Sequence, residues 1–412
     1  MMTLIELLIW LTYAGLSVVV LVIGLHTILF FPLALLHAIA QHRRSAVESE
    51  PWVSIIVPAY NEEAVIGNCV RSILRSDYKR FEIILVNDGS TDNTLAEMQR
   101  FAAEHRVRIL DKPNGGKAAA LNTGIHYARG EVLFFVDADG MFLPTTIREM
   151  LRGFHSPQVG AVCGNDAPVN LDRLLPRLLA IQTHVTTGFV RRALAAINCL
   201  PIVSGNIGAF RREVLEQTGA FRPGFIGEDL ELTWRVHKAG YRVEFQPGAV
   251  VYAEVPSALG ALWKQRVRWA RGLLQTAVLH RDMFFKPKYR GMALYLPLNV
   301  FSLAVIPILQ LAVLGLLAAL LTLGVSPITL DVLGIIGWLG FGATILATLF
   351  AVWLARAWRE LRFFYLLPLW IPYAFFLNLV ALWALILELT GAQAQWRKLT
   401  RTGVVTRKEV WI

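Results

Sequence analysis

Two aspartates spaced i, i+2, Asp137 and Asp139, close the apolar run Val132-Leu-Phe-Phe-Val136, and Gly140 follows them. Five apolar residues, four of them β-branched or aromatic, predict a buried strand of a parallel sheet. Ligands of open α/β sheets gather beyond the carboxyl ends of the strands, so both carboxylates would face that crevice. Their hard oxygens suit a hexacoordinate Mg2+ or Mn2+ bridged to a diphosphate. The plain alternative is that strands of α/β proteins often end in Asp. A second acidic pair, Glu228-Asp229, stands at a predicted helix start after Gly227. Capping is its plain reading. Its chemical reading is a general base, a carboxylate ionised at neutral pH that takes the proton of an attacking hydroxyl.

Other residues with chemical potential lie between and beyond these pairs. Lys117 follows Gly115-Gly116 at a predicted helix start, where a phosphate can bind. Asp88, in Asn87-Asp88-Gly89-Ser90 after the strand signal 83–86, is placed to accept hydrogen bonds from a uracil or ribose edge. Asp92, in the same turn, reads better as a cap. The glycine-bracketed stretch 202–212 reads as a loop offering Ser204 and the backbone at Gly205 to a sugar, or as a simple turn. Residues 263–272 are basic, aromatic and helical in spacing, which predicts an amphipathic helix on a membrane surface. There Trp269 could stack on a sugar ring, with Gln265 and Arg268 as amide and guanidinium donors. Interfacial anchoring by Trp and Arg is the alternative.

The elements that must position these residues are of two kinds. The 412 residues are 55% hydrophobic and 17% charged, with a mean hydropathy of +0.50. That composition predicts an integral membrane protein with one polar insert. A transmembrane helix is expected near residues 7–31, with Pro32 close to its end. Arg43 and Arg44 then place the insert in the cytoplasm by the positive-inside rule. Further apolar runs cover 292–323, 332–354 and 363–389, the last broken by Pro368 and Pro372, so that part of it would lie in the interface. The basic tail, with Arg397, Lys398, Arg401, Arg407 and Lys408, is expected on the cytoplasmic side. Within the insert, strand signals at 53–57, 83–86, 107–110 and 132–136 alternate with helical patterns. This is a doubly wound nucleotide-binding half. The division is thus 1–50, a membrane helix and basic flank; 51–255, the catalytic insert; 256–290, the interfacial helix; 291–390, membrane and interfacial helices; and 391–412, the tail. The net charge of +10 flanks hydrophobic segments, which points to lipid headgroups and a phosphorylated substrate and away from nucleic acid. Cys69, Cys163 and Cys199 read as reduced core residues, neither a disulfide nor a zinc framework.

Taken together, Pro58-Ala-Tyr60-Asn-Glu62, Asn87-Asp88, Gly116-Lys117, Asp137-Ala-Asp139, Gly227-Glu228-Asp229 and Gln265-x-x-Arg268-Trp269 fall in one order. That order resembles the processive family 2 glycosyltransferases, the membrane synthases of cellulose, chitin, hyaluronan and poly-N-acetylglucosamine. The resemblance covers residues 53–272 and implies a GT-A fold, a UDP-sugar donor, a growing polysaccharide as acceptor and a divalent Mg2+ or Mn2+. It implies that Pro58, Tyr60, Glu62, Asp88, Lys117 and Asp137 bind the donor and that Asp139 ligates the metal. It implies Asp229 as the base beside Glu228, and Ser204, Gly205, Gln265, Arg268 and Trp269 at the acceptor. Gly227 departs from the threonine common at that position. The stretches 396–403 and 405–408 resemble the family's gating motifs. Glu388 and Asn378 are candidates for a polar path through the membrane, unless they sit at a helix end or pair with a neighbour. A poly-β-1,6-N-acetylglucosamine synthase of a bacterial inner membrane is the expected member, with a small membrane subunit among its expected partners; hyaluronan, chitin or cellulose synthases and a non-processive transferase charging a lipid phosphate are the alternatives.

Overall fold

A computed structural model describes residues 3–42, 50–326, 330–393 and 401–407, without the side chains of 330–334 and 336. Arg43, Arg44, Trp396, Arg397, Lys398 and Lys408 lie outside the described residues. The soluble part is built on one mixed sheet of strands β1 (Val53–Ala59), β2 (Phe81–Asp88), β3 (Val107–Lys112), β4 (Val132–Phe135), β5 (Met141–Phe142), β6 (Val159–Pro168), β7 (Gly208–Arg211) and β8 (Arg242–Ala253). Their spatial order is β3-β2-β1-β4-β7-β6-β8-β5. The first four strands are parallel, as the alternating pattern predicts. Beyond β4 the sheet turns mixed, because β7 runs antiparallel to both its neighbours. The stretch 202–212, expected to be only a loop, therefore supplies a strand.

Alternation along the strands loads both faces of the sheet. Ile55 and Val57 enter one core with Ile83, Leu85 and Phe134, while Ile56 enters the other with Ile84, Val86, Leu133 and Phe135. Each such side chain is fully buried and contributes roughly 1.5–3 kcal/mol. Parallel β1, β2 and β4 all end on the same edge, which sets Tyr60, Asp88 and Asp137 around a common crevice.

Around this domain, four helices among the described residues are long and apolar enough to cross a membrane: Leu4–His42, Gly291–Thr322, Gly337–Ala355 and Trp358–Leu389. The first outruns the expected span. Pro32 sits inside it, and the turns beyond rest on the soluble domain, where Gln41 Nε2 donates to Phe245 O and Gln246 Oε1 at 2.7 Å. Packing on protein thus continues the helix past its lipid-facing length. The last segment is a 3₁₀ stretch, Trp358–Leu369, followed by a helix, Trp370–Leu389. That helix lies alongside Leu259–Leu279 and runs parallel to it: Phe376 meets Trp263 at 5.6 Å, Val380 packs on Val267, and Glu388 Oε1 meets Arg271 Nε at 2.5 Å. Glu388 is therefore an ion-paired residue at a helix end, held also by Gln275 at 3.0 Å, and not an isolated acid in a membrane path. Cys69, Cys163 and Cys199 are buried and free.

The helix Glu228–Lys238 is pinned through Glu231, which is 0% exposed. Its carboxylate receives Arg235 Nε at 2.9 Å and Nη2 at 2.7 Å, and lies 3.1 Å from His280 Nε2 at the end of Leu259–Leu279. Burial alone would push this carboxyl up, but the hydrogen bonds from His280 and Arg235 outweigh it and hold it at about 2. Because the folded value lies below the unfolded one, the stabilisation is complete above the ordinary carboxylate range and is lost as pH falls towards about 2. Glu231→Gln is therefore expected to cost roughly 1–3 kcal/mol at pH 7 and to flatten the fall in melting temperature below pH 5. Identical melting curves for the two chains would contradict this assignment.

Candidate active site

Four polar elements converge on the carboxyl edge of the sheet. The turn after β4 presents Asp137, and the helix Lys117–Tyr127 starts with Lys117, whose Nζ lies 2.5 Å from Asp137 Oδ1 and 3.7 Å from Glu228 Oε1. Burial works against the ammonium, but Asp137 and Glu228 more than offset it, so Lys117 stays protonated above its usual range. Glu228 opens its helix and is buried; burial pushes its carboxyl up, Lys117 pulls it down and neighbouring Asp229 adds to the rise. Asp229 is half-buried, and its carboxylate accepts the backbone N–H of Gly205 at 3.1 Å and of Leu230 at 2.8 Å. Gly205 lies between Lys117 and Asp229: a Cβ there would come within 3.2 Å of Lys117 Nζ and 3.5 Å of Asp229 Oδ2. Asp137, Lys117, Gly205, Glu228 and Asp229 are thus one cluster, drawn from three elements and a loop.

Asp139 faces a different cation. It is 5% exposed, and its Oδ2 lies 3.1 Å from Arg401 Nη1 and accepts Glu254 N at 3.0 Å. Burial pushes its carboxyl up, with Arg401 opposing and Asp137 adding. The segment 401–407 lies across the edge of the domain. Arg401 Nη1 donates to Glu254 O at 2.8 Å, Thr402 N and Gly403 N donate to the Glu254 carboxylate at 3.0 and 2.5 Å, and Thr406 Oγ1 donates to Val169 O at 2.6 Å. Arg407 pairs with Glu360 at 2.8 Å. The tail therefore sits on the same side as the catalytic insert. Among the described residues no group of three His, Cys, Asp or Glu could hold a cation unaided. Asp139 and Asp137 offer hard oxygens that fit a Mg2+ or Mn2+ completing its shell from a diphosphate and water, and a guanidinium already stands at Asp139 as a cationic substitute.

The remaining sequence-predicted residues fall around this centre. Pro58 stands beside Val86 one residue before its strand ends at Ala59, and half-buried Tyr60 and Glu62 follow on the same edge. Asp88 is engaged within the fold: Lys112 Nζ at 2.5 Å, Gly115 N at 3.0 Å and Gly116 N at 2.8 Å all reach its carboxylate, which fixes the glycine turn before Lys117. Asp92 accepts Thr94 N at 2.9 Å, as a cap does. Ser204 Oγ is 3.4 Å from Asp166 Oδ1. On Leu259–Leu279, Gln265 and Arg268 are half-buried with no side-chain hydrogen-bond partner among the described residues, and the charge of Arg268 reaches Glu228. Trp269 is 50% exposed, with one face covered by Arg266 at 4.2 Å. This helix is brought to the acidic pair by contact of two glycines: a Cβ on Gly227 would stand 3.1 Å from Gly272 Cα, and one on Gly272 would stand 3.2 Å from Gly227 Cα. At that approach a threonine at 227 would need the facing backbone at Gly272 to give by a few tenths of an ångström. Sequence reasoning missed Glu254, Asp166 and Arg191, each of which is defined by a partner from a distant segment.

The model described as glycosyltransferase like family 2 matches residues 51–272, over half of the chain. The chain belongs to glycosyltransferase family 2. Poly-beta-1,6-N-acetyl-D-glucosamine synthases of Staphylococcus epidermidis and Staphylococcus aureus (strain COL) are 32% identical to it, over 59% and 61% of this chain and equal shares of theirs. The chain thus matches less than two thirds of those relatives' length. A mannosyltransferase of Pyrobaculum calidifontis, solved with GDP-Man and Mn2+, superposes with a TM-score of 0.65 at 22% identity, over 93% of this chain and 99% of that one. It shares the GT-A fold.

The tail contacts carry an expectation of their own. Glu254→Ala removes the acceptor of Thr402 N and Gly403 N, each bond to a charged group being worth roughly 1.5–3 kcal/mol. Trypsin is then expected to cut after Arg401 or Arg407 about tenfold faster or more than in the unaltered chain. Equal cleavage rates would show that Glu254 does not hold the tail.

Proposed function

We propose that this family 2 protein is an inverting, metal-dependent, processive transferase. It takes sugar from a UDP-sugar, favoured as UDP-N-acetylglucosamine, builds a β-linked polysaccharide at the cytoplasmic face of a bacterial inner membrane, and assists its export. The observation that carries this reading is the convergence of Asp137, Lys117, Glu228 and Asp229 around Gly205. Such a cluster joins a diphosphate site to a carboxylate within one sugar's reach.

In this reading Lys117 and the turn at Asp137 hold the diphosphate, and Tyr60 and the loop fixed by Asp88 border the nucleotide. Asp229, aligned by the N–H groups of Gly205 and Leu230, takes the proton of the acceptor hydroxyl. Glu228 stays beside Lys117 and supports its charge. Gln265 and Arg268, whose donors have no partner among the described residues, and the open face of Trp269 receive the acceptor end. Asp139 and Asp137 would hold the Mg2+ or Mn2+, which when bound neutralises charge on the departing diphosphate. The segment 401–407 straps over Asp139 and Glu254 and must shift for that cation to sit there. The resemblance to poly-β-1,6-N-acetylglucosamine synthases supports the choice of sugar.

Asp229→Asn is expected to bind UDP-N-acetylglucosamine within about twofold of the unaltered chain and to lose a factor of about 10²–10⁴ in turnover. Retained turnover would remove Asp229 from the base role. Chelation with EDTA is expected to stop UDP release, and added Mn2+ or Mg2+ to restore it; full activity in EDTA would remove the metal from the reaction.

A further inference from the structure

Behind the loop that aligns Asp229 lies a half-buried polar chain with no place in the donor or metal site. Gly205 N reaches Asp229 Oδ2 at 3.1 Å, and the preceding residue, Ser204, sets its Oγ 3.4 Å from Asp166 Oδ1. Ser204 N also donates to Cys163 Sγ at 3.4 Å, so the loop is held on both sides. Asp166 Oδ2 in turn receives Arg191 Nη1 at 2.9 Å, and the same atom reaches Gly164 O at 3.1 Å. The side chains of Arg191 and Asp166 are only 12% and 21% exposed. Burial opposes the guanidinium charge, but Cys163, Asp166 and Asp229 all favour it and hold it above its usual range. Arg191 therefore lies within electrostatic reach of Asp229.

Arg191 does not belong to the sheet. It sits on the helix Val190–Ala196, whose Ala193 packs with Ala34 of Leu4–His42, Phe189 and Ala351 in one apolar cluster. The next residue, Arg192, donates to Leu354 O at 3.3 Å, which fastens the same turn to the end of the helix Leu330–Ala355. A continuous set of contacts thus runs from two apolar, span-length helices through Arg191, Asp166 and Ser204 to the N–H that orients Asp229.

We propose that Arg191 and Asp166 are positioning residues for Asp229: they set the Ser204-Gly205 loop, and through it the direction of the Asp229 carboxylate, from the packing of the membrane helices. The inference rests on the reading of Asp229 as the base. Neither residue touches the reacting atoms. Their action is geometric, and a displacement of about 1 Å at a reacting group can cost about 10²-fold in rate.

The test is steady-state kinetics of the full chain in lipid nanodiscs with UDP-N-acetylglucosamine, comparing Asp166→Asn, Arg191→Gln, their double variant and Arg191→Lys. Both single variants are expected to lower kcat by about 10–100-fold with donor KM within about twofold. Residues acting as one chain are non-additive, so the double variant is expected to be no slower than the worse single one. Arg191→Lys, which keeps a donor for Asp166, is expected to recover part of the loss. A kcat within twofold of the unaltered chain, multiplicative losses in the double variant, or a raised KM with kcat intact would each overturn the positioning role. If Asp166→Asn fails to fold, Ser204→Ala cuts the same chain one step later and is read by the same criteria. Asp229→Asn assayed in parallel separates the two failures: full activity there overturns the base, whereas an inactive Asp229→Asn beside unimpaired Asp166→Asn and Arg191→Gln overturns the positioning alone.

Discussion

The ammonium of Lys117, shared by Asp137 and Glu228, joins what are otherwise two separate acidic edges. Asp137 belongs to the parallel, nucleotide-binding half of the sheet, and Glu228 to a helix that follows the antiparallel strand β7. Without a cation between them, buried Glu228 and half-buried Asp137 would share one site with like charges uncompensated. With Lys117 they become a single site that is still net negative, which suits a cation carrying a phosphorylated ligand. Lys117 can reach both because Asp88 grips the N–H groups of Gly115 and Gly116 and so fixes the start of its helix. The position of Lys117 is thus determined two strands away from Asp137.

Membrane packing does the corresponding work for the acceptor side. The helix Leu259–Leu279 touches Gly227 backbone to backbone and is clamped from its other side by Trp370–Leu389. Arg268, whose charge reaches Glu228, is thus carried on a helix held between the acidic pair and an apolar helix. The tail completes the enclosure by placing Arg401 on Asp139. Helices long and apolar enough to cross a membrane, the helix Leu259–Leu279 and the mixed sheet are thus packed around one acidic cluster.

The parallel half of the fold was legible because its strands are short apolar runs ending in acidic turns, and Val132–Phe135 with Asp137 is the clearest of them. Lys117 and Asp137 were each legible as donor-side residues at strand and helix ends, but their ion pair with each other was not. What was hidden depended on tertiary contact. β7 occupies four residues inside a glycine-rich loop, too few to show a period. Pro32 looked like a helix end, yet contacts of Gln41 with Phe245 and Gln246 carry the helix past it. Asp166, Arg191 and Glu254 carry no local pattern, because each is defined by a partner from a distant segment. Gly227 looked like a weakness in the motif until Gly272 was seen against it.

The account is tested most directly by the product. Purified chain incubated with radiolabelled UDP-N-acetylglucosamine and Mg2+ or Mn2+ should yield a ladder of long chains that a β-1,6-specific hexosaminidase degrades, with UDP released for every sugar added. A single sugar transferred to lipid, or UDP released with no polymer, would contradict it.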